Sequence, residues 1–455
     1  MSSPKSALLP TTARSLEVDL AASQSRGRIP SVVAGVVRDG ELAWSGARGR
    51  TVRRGDDARP DLDTQYKIGS VTKTMTAALV MLARERGEVA LDDPVSRFVA
   101  QGPFPDASLR SLLAHTSGLS AEPVGSWWER SHGVDGPALA AAHASTERVL
   151  EPGAMFHYSN LGYGVLGRVI EAVTGQTWLE ALQEQLLDPL GMTRTTYQNS
   201  SPHAEGFAVH HLTGELTVEP LPDTGAMAPA GPLWSTVPDQ ARWLTALVDP
   251  DRSVLSDETL RAMRTPQGGL PDTEGVGATY ALGLQVLAGR GRTLVGHGGS
   301  MPGFVCGAWV DPASRVGAVV LTNAGYGLDD LTTRLLHTVL DAEPPLAPEW
   351  RPPVEVSADL GDLVGLWYWG QAPSLLRVED DGLVLTPVDA PGRTLRFARV
   401  DGDTFVGTRG YLEAETLRVV RREDGSVSHL ECATFVYTRT PYDPQAPIPG
   451  GAPTG

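Results

Sequence analysis

Lysine is nearly absent from this chain of 455 residues. Of its 38 basic residues, only Lys5, Lys67 and Lys73 are lysines, and the others are arginines. A guanidinium stays protonated in a protein, whereas the amine of a partly buried lysine can lose its proton. A chain that carries its positive charge on arginine has little reason to place a lysine beside the apolar stretch 74–83. Lys73 is therefore a candidate for chemistry.

Cysteine, long apolar runs and positive net charge are also lacking. Cys306 and Cys432 stand far apart, so we expect two small buried side chains in a reducing compartment rather than a disulfide. No window approaches the roughly 18 apolar residues of a membrane span, and the N-terminus lacks the apolar stretch of a signal peptide. These absences predict a cytoplasmic protein without a membrane partner. The net charge of −16 argues against nucleic acid as a partner.

Patterns that bind metals are lacking as well. The histidine pair at 210–211 has no partner at ligand spacing, and neither His-Glu-x-x-His nor Cys-x-x-Cys occurs. We therefore expect no metal site and no cofactor. His115 and His157 are expected to brace loops. The tryptophan pair at 127–128 could line a substrate cleft or pack against the domain surface.

Ser70 and Lys73 stand one helical turn apart. The segment 71–86 is apolar nearly all round and stops at Gly87, which predicts a central, buried helix. Free N–H groups at the start of a helix stabilise developing negative charge. Ser70 is thus the predicted nucleophile and Lys73 its proton acceptor. A Ser-x-x-Lys pattern is weak evidence by itself, so the rest of the chain must support it.

Tyr158 and Asn160 lie just before an apolar stretch that starts another predicted helix. A tyrosine placed against a serine and a lysine can have its phenol pKa lowered by the ammonium. Such a tyrosine can relay the proton of the serine to a leaving group. Tyr158 is therefore a candidate for proton transfer.

His297 ends a predicted strand and is followed by Gly298, Gly299 and Ser300. The two glycines allow a substrate to lie against the backbone. An N–H group just beyond them can complete an oxyanion hole with the N–H of Ser70. This stretch is therefore a candidate for binding the reacting carbonyl.

The length predicts two domains. In the first, over residues 10–342, strands are predicted at both ends, with helices and loops between them. They lie at 32–37, 42–46, 293–297, 304–310 and 316–323, with an Asp-Gly turn between the first two and a closing helix near 328–341. This order predicts an α/β (α+β) fold, in which one antiparallel sheet is assembled from both ends of the domain and flanked by helices.

The second domain follows a proline-rich linker, predicted over 343–356. Short alternating segments with Asp-Gly turns between them occupy residues 357–440, which predicts a small all-β barrel. The aromatic side chains of its opening stretch, 364–369, are expected in the barrel core rather than in a ligand pocket. The proline- and glycine-rich tail at 441–455 is predicted to be disordered.

The chain resembles the serine β-lactamase and penicillin-binding-protein superfamily, in particular its class C β-lactamase, D,D-peptidase and esterase branch. Three motifs carry the resemblance, in this order: Ser70-x-x-Lys73, Tyr158-x-Asn160 and His297-Gly298-Gly299. Supporting stretches lie at 112–119, 187–192, 229–236 and 280–284, so that the resemblance covers about residues 10–340. It implies a β-lactamase/transpeptidase-like domain, and the stretch 364–369 resembles the start of a lipocalin-like barrel.

The resemblance also implies a role for each motif residue. Ser70 would attack a carbonyl and become an acyl-serine, while Lys73 and Tyr158 activate it and move its proton. The N–H groups of Ser70 and Ser300 would hold the oxyanion. Asn160 would contact the substrate amide.

The third motif departs from its usual form, because His297 stands where lysine is common. By resemblance, His297 would polarise Tyr158 or meet a substrate carboxylate, with Gly298 and Gly299 lining the substrate cleft. A histidine is largely neutral near neutral pH, which weakens the case for penicillin hydrolysis.

We therefore predict a serine hydrolase that forms an acyl-serine intermediate on small esters, amides or D-amino-acid peptides. Its expected partner is a small-molecule or peptide substrate. The alternatives are a penicillin-binding-protein-type acyl transferase or thioesterase (a peptide cyclase or D-aminopeptidase), a β-lactamase, or a binding protein without catalytic activity.

Overall fold

The structure, a computed structural model, describes residues 7–52, 58–99, 104–269, 277–346, 349, 358–379 and 382–441. The chain divides into two compact units, residues 1–346 and 347–455. Most of the predicted linker and nearly all of the predicted tail lie outside the described residues. None of the described helices is both long and apolar enough to cross a lipid bilayer.

The first unit combines helices and strands. Its α-helices are α1 (Pro10–Arg26), α2 (Thr72–Glu85), α3 (Leu109–Leu113), α4 (Gly136–Ala142), α5 (Asn160–Thr174), α6 (Trp178–Leu182), α7 (Val237–Ala246), α8 (Asp257–Arg264) and α9 (Leu331–Ala342). Its strands are β1 (Ser31–Arg38), β2 (Glu41–Gly49), β3 (Tyr66–Lys67), β4 (Phe207–Val209), β5 (Leu216–Val218), β6 (Trp234–Ser235), β7 (Gly268–Gly269), β8 (Gly277–Tyr280), β9 (Gln285–Gly289), β10 (Arg292–Met301), β11 (Phe304–Asp311) and β12 (Val316–Thr322).

One antiparallel sheet joins the two ends of this unit. Among the described residues it has eight strands, in the order β2-β1-β12-β11-β10-β9-β8-β7. Val32 lies opposite Thr322 in the β1–β12 pair, so the first strand lies beside the last. Asp39 and Gly40, both with positive φ, close the β1–β2 hairpin. The predicted sheet and its assembly from both ends of the first domain are confirmed; strands β7 to β9 were not predicted.

The sheet separates two apolar layers. Alternate side chains of β1 point to opposite faces, so that Val33 and Val37 join the core around α2. Val32, Ala34 and Val36 join the core formed with α1 and α9. Helix α2 is buried along Thr72–Ala83, as its all-round apolar pattern predicts.

The polar side chains of α2 have partners inside this core. The indole Nε1 of Trp243 donates to Thr74 Oγ1 at 2.7 Å, and the Nε1 of Trp178 donates to Thr76 Oγ1 at 3.1 Å. Thr76 Oγ1 in turn donates to the carbonyl oxygen of Pro229 at 2.9 Å. A buried polar group costs little when it is hydrogen-bonded, and these bonds hold the helix, with Lys73 on it, in one orientation.

Over the residues that the structure describes, the second unit consists of strands apart from the short helix α10 (Ala358–Gly361) and a 3-10 turn at Pro391–Arg393. Its strands are β13 (Gly365–Trp369), β14 (Ala372–Glu379), β15 (Gly382–Pro387), β16 (Leu395–Asp401), β17 (Thr404–Arg409), β18 (Thr416–Arg421), β19 (Val427–Cys432) and β20 (Phe435–Tyr437). Each pairs with the next. Backbone bonds between Tyr368 and Thr438 join the first and last strands, which gives a nearly closed barrel and confirms the predicted class.

The aromatic side chains that open this barrel differ in burial. Trp367 is buried in the barrel core, whereas Trp369 is half exposed and lies against Phe435. The expectation of core aromatic side chains is therefore confirmed for Trp367 and wrong for Trp369. The two cysteines are buried in different units, Cys306 in β11 and Cys432 in β19, and neither forms a disulfide.

Candidate active site

Ser70 lies where the chain turns into the buried helix α2. A short 3-10 turn, Gly69–Val71, leads directly into α2. Gly69 has φ of +53°, a left-handed conformation that glycine adopts without strain. Ser70 is partly exposed, whereas the residues on either side of it are buried. The serine hydroxyl is therefore the part of this turn that a substrate can reach.

Lys73 lies one turn further along α2 and is fully buried. Its Nζ is 3.0 Å from Ser70 Oγ and donates to the carbonyl oxygen of Ala230 at 2.5 Å. Burial lowers the pKa of Lys73 to about 7, against the opposing attraction of Glu122 and Glu129. A substantial share of the lysine is thus a neutral amine near neutral pH, and a neutral amine at this distance can accept the serine proton.

Tyr158 lies just before α5, with its ring against Lys73 Nζ, 5.1 Å from the ring centre. Its hydroxyl is buried and makes no regular hydrogen bond among the described residues. Burial raises the pKa of Tyr158, and the neighbouring Ser70 side chain lowers it only in part. The expectation that the ammonium would lower the phenol pKa is therefore wrong: burial raises this pKa, and Lys73 is not among the groups that lower it. Tyr158 is a phenol near Ser70 that can pass on a proton.

His115 packs behind the tyrosine. It is fully buried, and its ring lies 4.2 Å from the ring of Tyr158, centre to centre. Its Nδ1 accepts the backbone N–H of Ser159 at 3.0 Å, and burial lowers its pKa well below the ordinary value. His115 is thus a neutral side chain that fixes the position of Tyr158, in keeping with the bracing role expected for it.

Strand β10 lies directly against the turn that carries Ser70. A methyl group added to Gly299 would come within 1.9 Å of the Ile68 carbonyl oxygen, and one added to Gly69 within 2.2 Å of the Ser300 nitrogen. Only glycines allow the two backbones to approach this closely. The N–H groups of Ser70 and Ser300 therefore belong to facing segments, as an oxyanion hole requires.

His297 is buried at the same strand, with both ring nitrogens engaged. The carbonyl oxygen of Gly298 can only accept, so Nδ1 carries the ring proton and donates to it. Nε2 of the neutral ring then accepts from the Tyr280 hydroxyl at 3.0 Å. Burial lowers the pKa of His297 to about 3, so the ring is neutral. In this arrangement neither nitrogen is free for a substrate carboxylate.

Asn160 begins α5 and faces a loop that the sequence motifs do not include. Its Nδ2 donates to Glu122 Oε1 at 2.7 Å, and the indole Nε1 of Trp128 donates to Glu122 Oε2 at 2.7 Å. Trp128 is buried, whereas Trp127 is mostly exposed and donates to Glu129 at 2.9 Å. Sequence reasoning missed both glutamates, since exposed loop glutamates are common and no motif marks them.

The structure brings the predicted site residues together where α2, the start of α5 and β10 meet. His157 and the pair at 210–211 are not part of this group: His157 bonds through its backbone to His115, and His210 and His211 stack on each other. Within the described ranges, no three acidic, histidine or cysteine side chains are grouped so as to hold a metal ion.

Comparisons with known proteins agree with this geometry. A family described as "Beta-lactamase" matches residues 14–342, and a domain family of unknown function, DUF7586, matches residues 356–439. The lipocalin-like name for the barrel therefore remains a resemblance.

Two curated relatives carry names of peptidases. The D-alanyl-D-alanine-carboxypeptidase/endopeptidase AmpH of Escherichia coli K12 is 29% identical over 333 residues, which cover 66% of this chain and 83% of the relative. The D-aminopeptidase of Brucella anthropi is 28% identical over 68% of this chain and 59% of its own length. A solved structure, the octameric penicillin-binding protein homologue from Pyrococcus abyssi, superposes with a TM-score of 0.65 at 25% identity, over 93% of this chain and 99% of the other.

Proposed function

Because the chain belongs to the beta-lactamase family, we propose that this serine hydrolase acts on D-configured amino-acid amides and short peptides through an acyl group on Ser70. Two of its relatives are named for D-amino-acid substrates. The observation that supports Ser70 most strongly is the Lys73 amine, 3.0 Å from its hydroxyl and with a pKa lowered to about 7. A base with a pKa near the working pH is suited to proton transfer.

In the acylation step, Ser70 Oγ attacks the carbonyl carbon of the substrate amide. The hydroxyl proton moves to the neutral amine of Lys73 as the carbon–oxygen bond forms. The Tyr158 phenol then gives its proton to the leaving nitrogen and is reprotonated from Lys73, so the carbon–nitrogen bond breaks and a neutral amine leaves.

The carbonyl oxygen becomes negatively charged during this step. We assign its stabilisation to the N–H groups of Ser70 and Ser300, which lie on the closely packed segments at Gly69 and Gly299. Donors fixed in advance at the place where charge develops lower the barrier more than flexible ones.

Water completes the cycle by attacking the acyl-serine. Lys73 and Tyr158 take the water proton and return one to Ser70 Oγ as the ester bond breaks, releasing the carboxylic acid. The same two groups serve both half-reactions with their proton-transfer roles reversed.

A test of the nucleophile is intact-mass spectrometry after exposure to a penicillin, an activated ester and a D-alanyl thioester. We expect an acyl adduct on the wild-type protein and none on Ser70→Ala. Ser145→Ala is the matched control, because Ser145 is exposed and lies outside the site; it should keep the adduct. An adduct that persists in Ser70→Ala would contradict the assignment.

The stereochemical part of the proposal has its own readout. The rate of hydrolysis of D-alanine p-nitroanilide should exceed that of its L-enantiomer. Equal rates would contradict the proposed preference for D-configured substrates. The cytoplasmic location predicted from the sequence also stays a proposal, tested by fractionation of the source cells with an antibody to this protein.

A further inference from the structure

Cys306 lies in β11, next to the turn that carries Ser70. Its side chain is buried, and its Sγ donates to the backbone carbonyl oxygen of Ile68 at 2.9 Å. In the β10–β11 pair Cys306 lies opposite Gly299, and a methyl group added to Gly299 would come within 2.9 Å of the Sγ atom. The thiol therefore lies against both of the segments whose N–H groups, at Ser70 and Ser300, we assign to the oxyanion hole.

The carbonyl oxygen of Ile68 marks the start of the turn. It accepts the backbone N–H of Val71 at 3.3 Å and the thiol as a second donor, as the two lone pairs of a carbonyl oxygen allow. Over the described part of the chain, no other side chain donates to it. Burial raises the pKa of the Cys306 thiol, so the group stays protonated near neutral pH and remains a donor.

This carbonyl group fixes the peptide plane between Ile68 and Gly69. The next peptide plane carries the N–H of Ser70, and the two planes meet at the Cα atom of Gly69. Gly69 has φ of +53°, a conformation that glycine allows but does not enforce, because glycine reaches many others at little cost. A hydrogen bond from outside the turn therefore limits how far the Ser70 N–H can change its direction.

We propose that Cys306 is a positioning residue for the oxyanion hole: its thiol holds the Ile68 carbonyl group and thereby the direction of the Ser70 N–H. The inference rests on the proposed function, because it takes the Ser70 N–H as a donor to the reacting carbonyl oxygen. The thiol is buried and acts through the backbone rather than on the substrate. A donor stabilises the developing charge only when it points to the place where that charge appears.

The test is single-turnover acylation of Ser70 by p-nitrophenyl acetate at several ester concentrations. This measurement separates the acylation rate constant from the dissociation constant of the ester. Loss of an oxyanion-hole donor lowers the rate by about 10²- to 10³-fold. A donor that is present but less well aligned should lose part of this, so Cys306→Ala should lower the acylation rate constant by about 5- to 50-fold. The dissociation constant should change by less than about twofold, because the charge exists only in the transition state.

Cys306→Ser is the conservative variant, because a hydroxyl also donates and is close to a thiol in size. Its acylation rate constant should stay within about threefold of the wild-type value, since a hydroxyl is a stronger donor than a thiol. If the thiol only fills space, the donor makes no difference. An unchanged rate constant in Cys306→Ala, or an equal loss in the alanine and serine variants, would overturn the proposal.

A second pair of variants keeps the test decisive if Cys306→Ala does not fold. Cys306→Val and Cys306→Thr have nearly the same shape and differ in the hydroxyl group. The threonine variant should acylate faster than the valine variant, and equal rate constants would contradict the positioning role. Cys432→Ala is the matched control, because it makes the same change at a buried thiol of the barrel; it should leave acylation unchanged.

Failure of the positioning role and failure of the proposed function give different results. If the ester acylates Ser70 in the wild type and equally fast in Cys306→Ala, only the positioning role is wrong. If the wild-type protein forms no acyl group on Ser70, the proposed function is wrong and the positioning role falls with it.

Discussion

The buried Lys73 amine should make the protein less stable at low pH, and replacing it should reveal by how much. Its pKa falls from the ordinary value of 10.5 to about 7 in the folded chain. The unfolded chain therefore binds more protons than the folded one between these two values, and stability rises with pH across that window. Lys73→Met removes the titrating group and fills a similar volume.

The size of the effect follows from the two pKa values. At about pH 6 the folded lysine is protonated, and its burial costs about 4–5 kcal/mol at 1.36 kcal/mol per pKa unit. At about pH 9 the folded amine is already neutral, and the remaining cost is about 2 kcal/mol. The stabilisation by Lys73→Met should thus be about 2–3 kcal/mol larger at the lower pH. The lost bonds to Ser70 and Ala230 affect the absolute values more than this difference.

Denaturant unfolding of the wild type and of Lys73→Met at the two pH values measures this difference. Arg26→Met is the control, because Arg26 is exposed at the end of α1 and its loss should have the same effect at both pH values. If Lys73→Met changes the unfolding free energy equally at both pH values, the lysine pKa is not lowered and the proposed proton acceptor loses its basis.

The remaining predictions concern the rate and the packing of the site. The pH profile of kcat/KM should rise through about pH 7 as Lys73 loses its proton, and a flat profile would contradict this role of Lys73. Lys73→Arg should lower kcat/KM by about 10²- to 10⁴-fold, because a guanidinium stays protonated. Gly299→Ala should destabilise the protein by about 3 kcal/mol or more, since its methyl group would come within 1.9 Å of the Ile68 carbonyl oxygen. Gly298→Ala is its control for thermal melting, because the nearest atom to the added methyl group is 4.0 Å away. Equal melting temperatures for the two variants would refute the close approach.

The sequence by itself determines those helices and strands that depend on residues close together along the chain. The Asp-Gly turn between two predicted strands predicts the first hairpin, and the all-round apolar stretch after Ser70 predicts a buried helix; both are present. The alternating segments after residue 357 predict the all-β barrel. Strands β7 to β9 were missed because they are short and contain glycine, and they extend one side of a sheet that β10 already belongs to.

The candidate site likewise has features that the sequence predicts and features that it does not. Ser70, Lys73, Tyr158 and the glycines near His297 could be named in advance, because their residue types and spacing suit acyl chemistry. Their charge states could not, since a pKa depends on burial and on neighbours distant in sequence. Burial raises the pKa of Tyr158, where the sequence suggested that it would fall.

Only the tertiary structure decided which groups the substrate would meet. Glu122 is 38 residues away from Asn160 along the chain, and Tyr280 is 17 residues away from His297. The first contact fixes the orientation of an amide group, and the second occupies the acceptor nitrogen of an imidazole. The order and spacing of residues in the sequence do not predict such pairs, because the direction of a hydrogen bond is set by the folded positions of both partners.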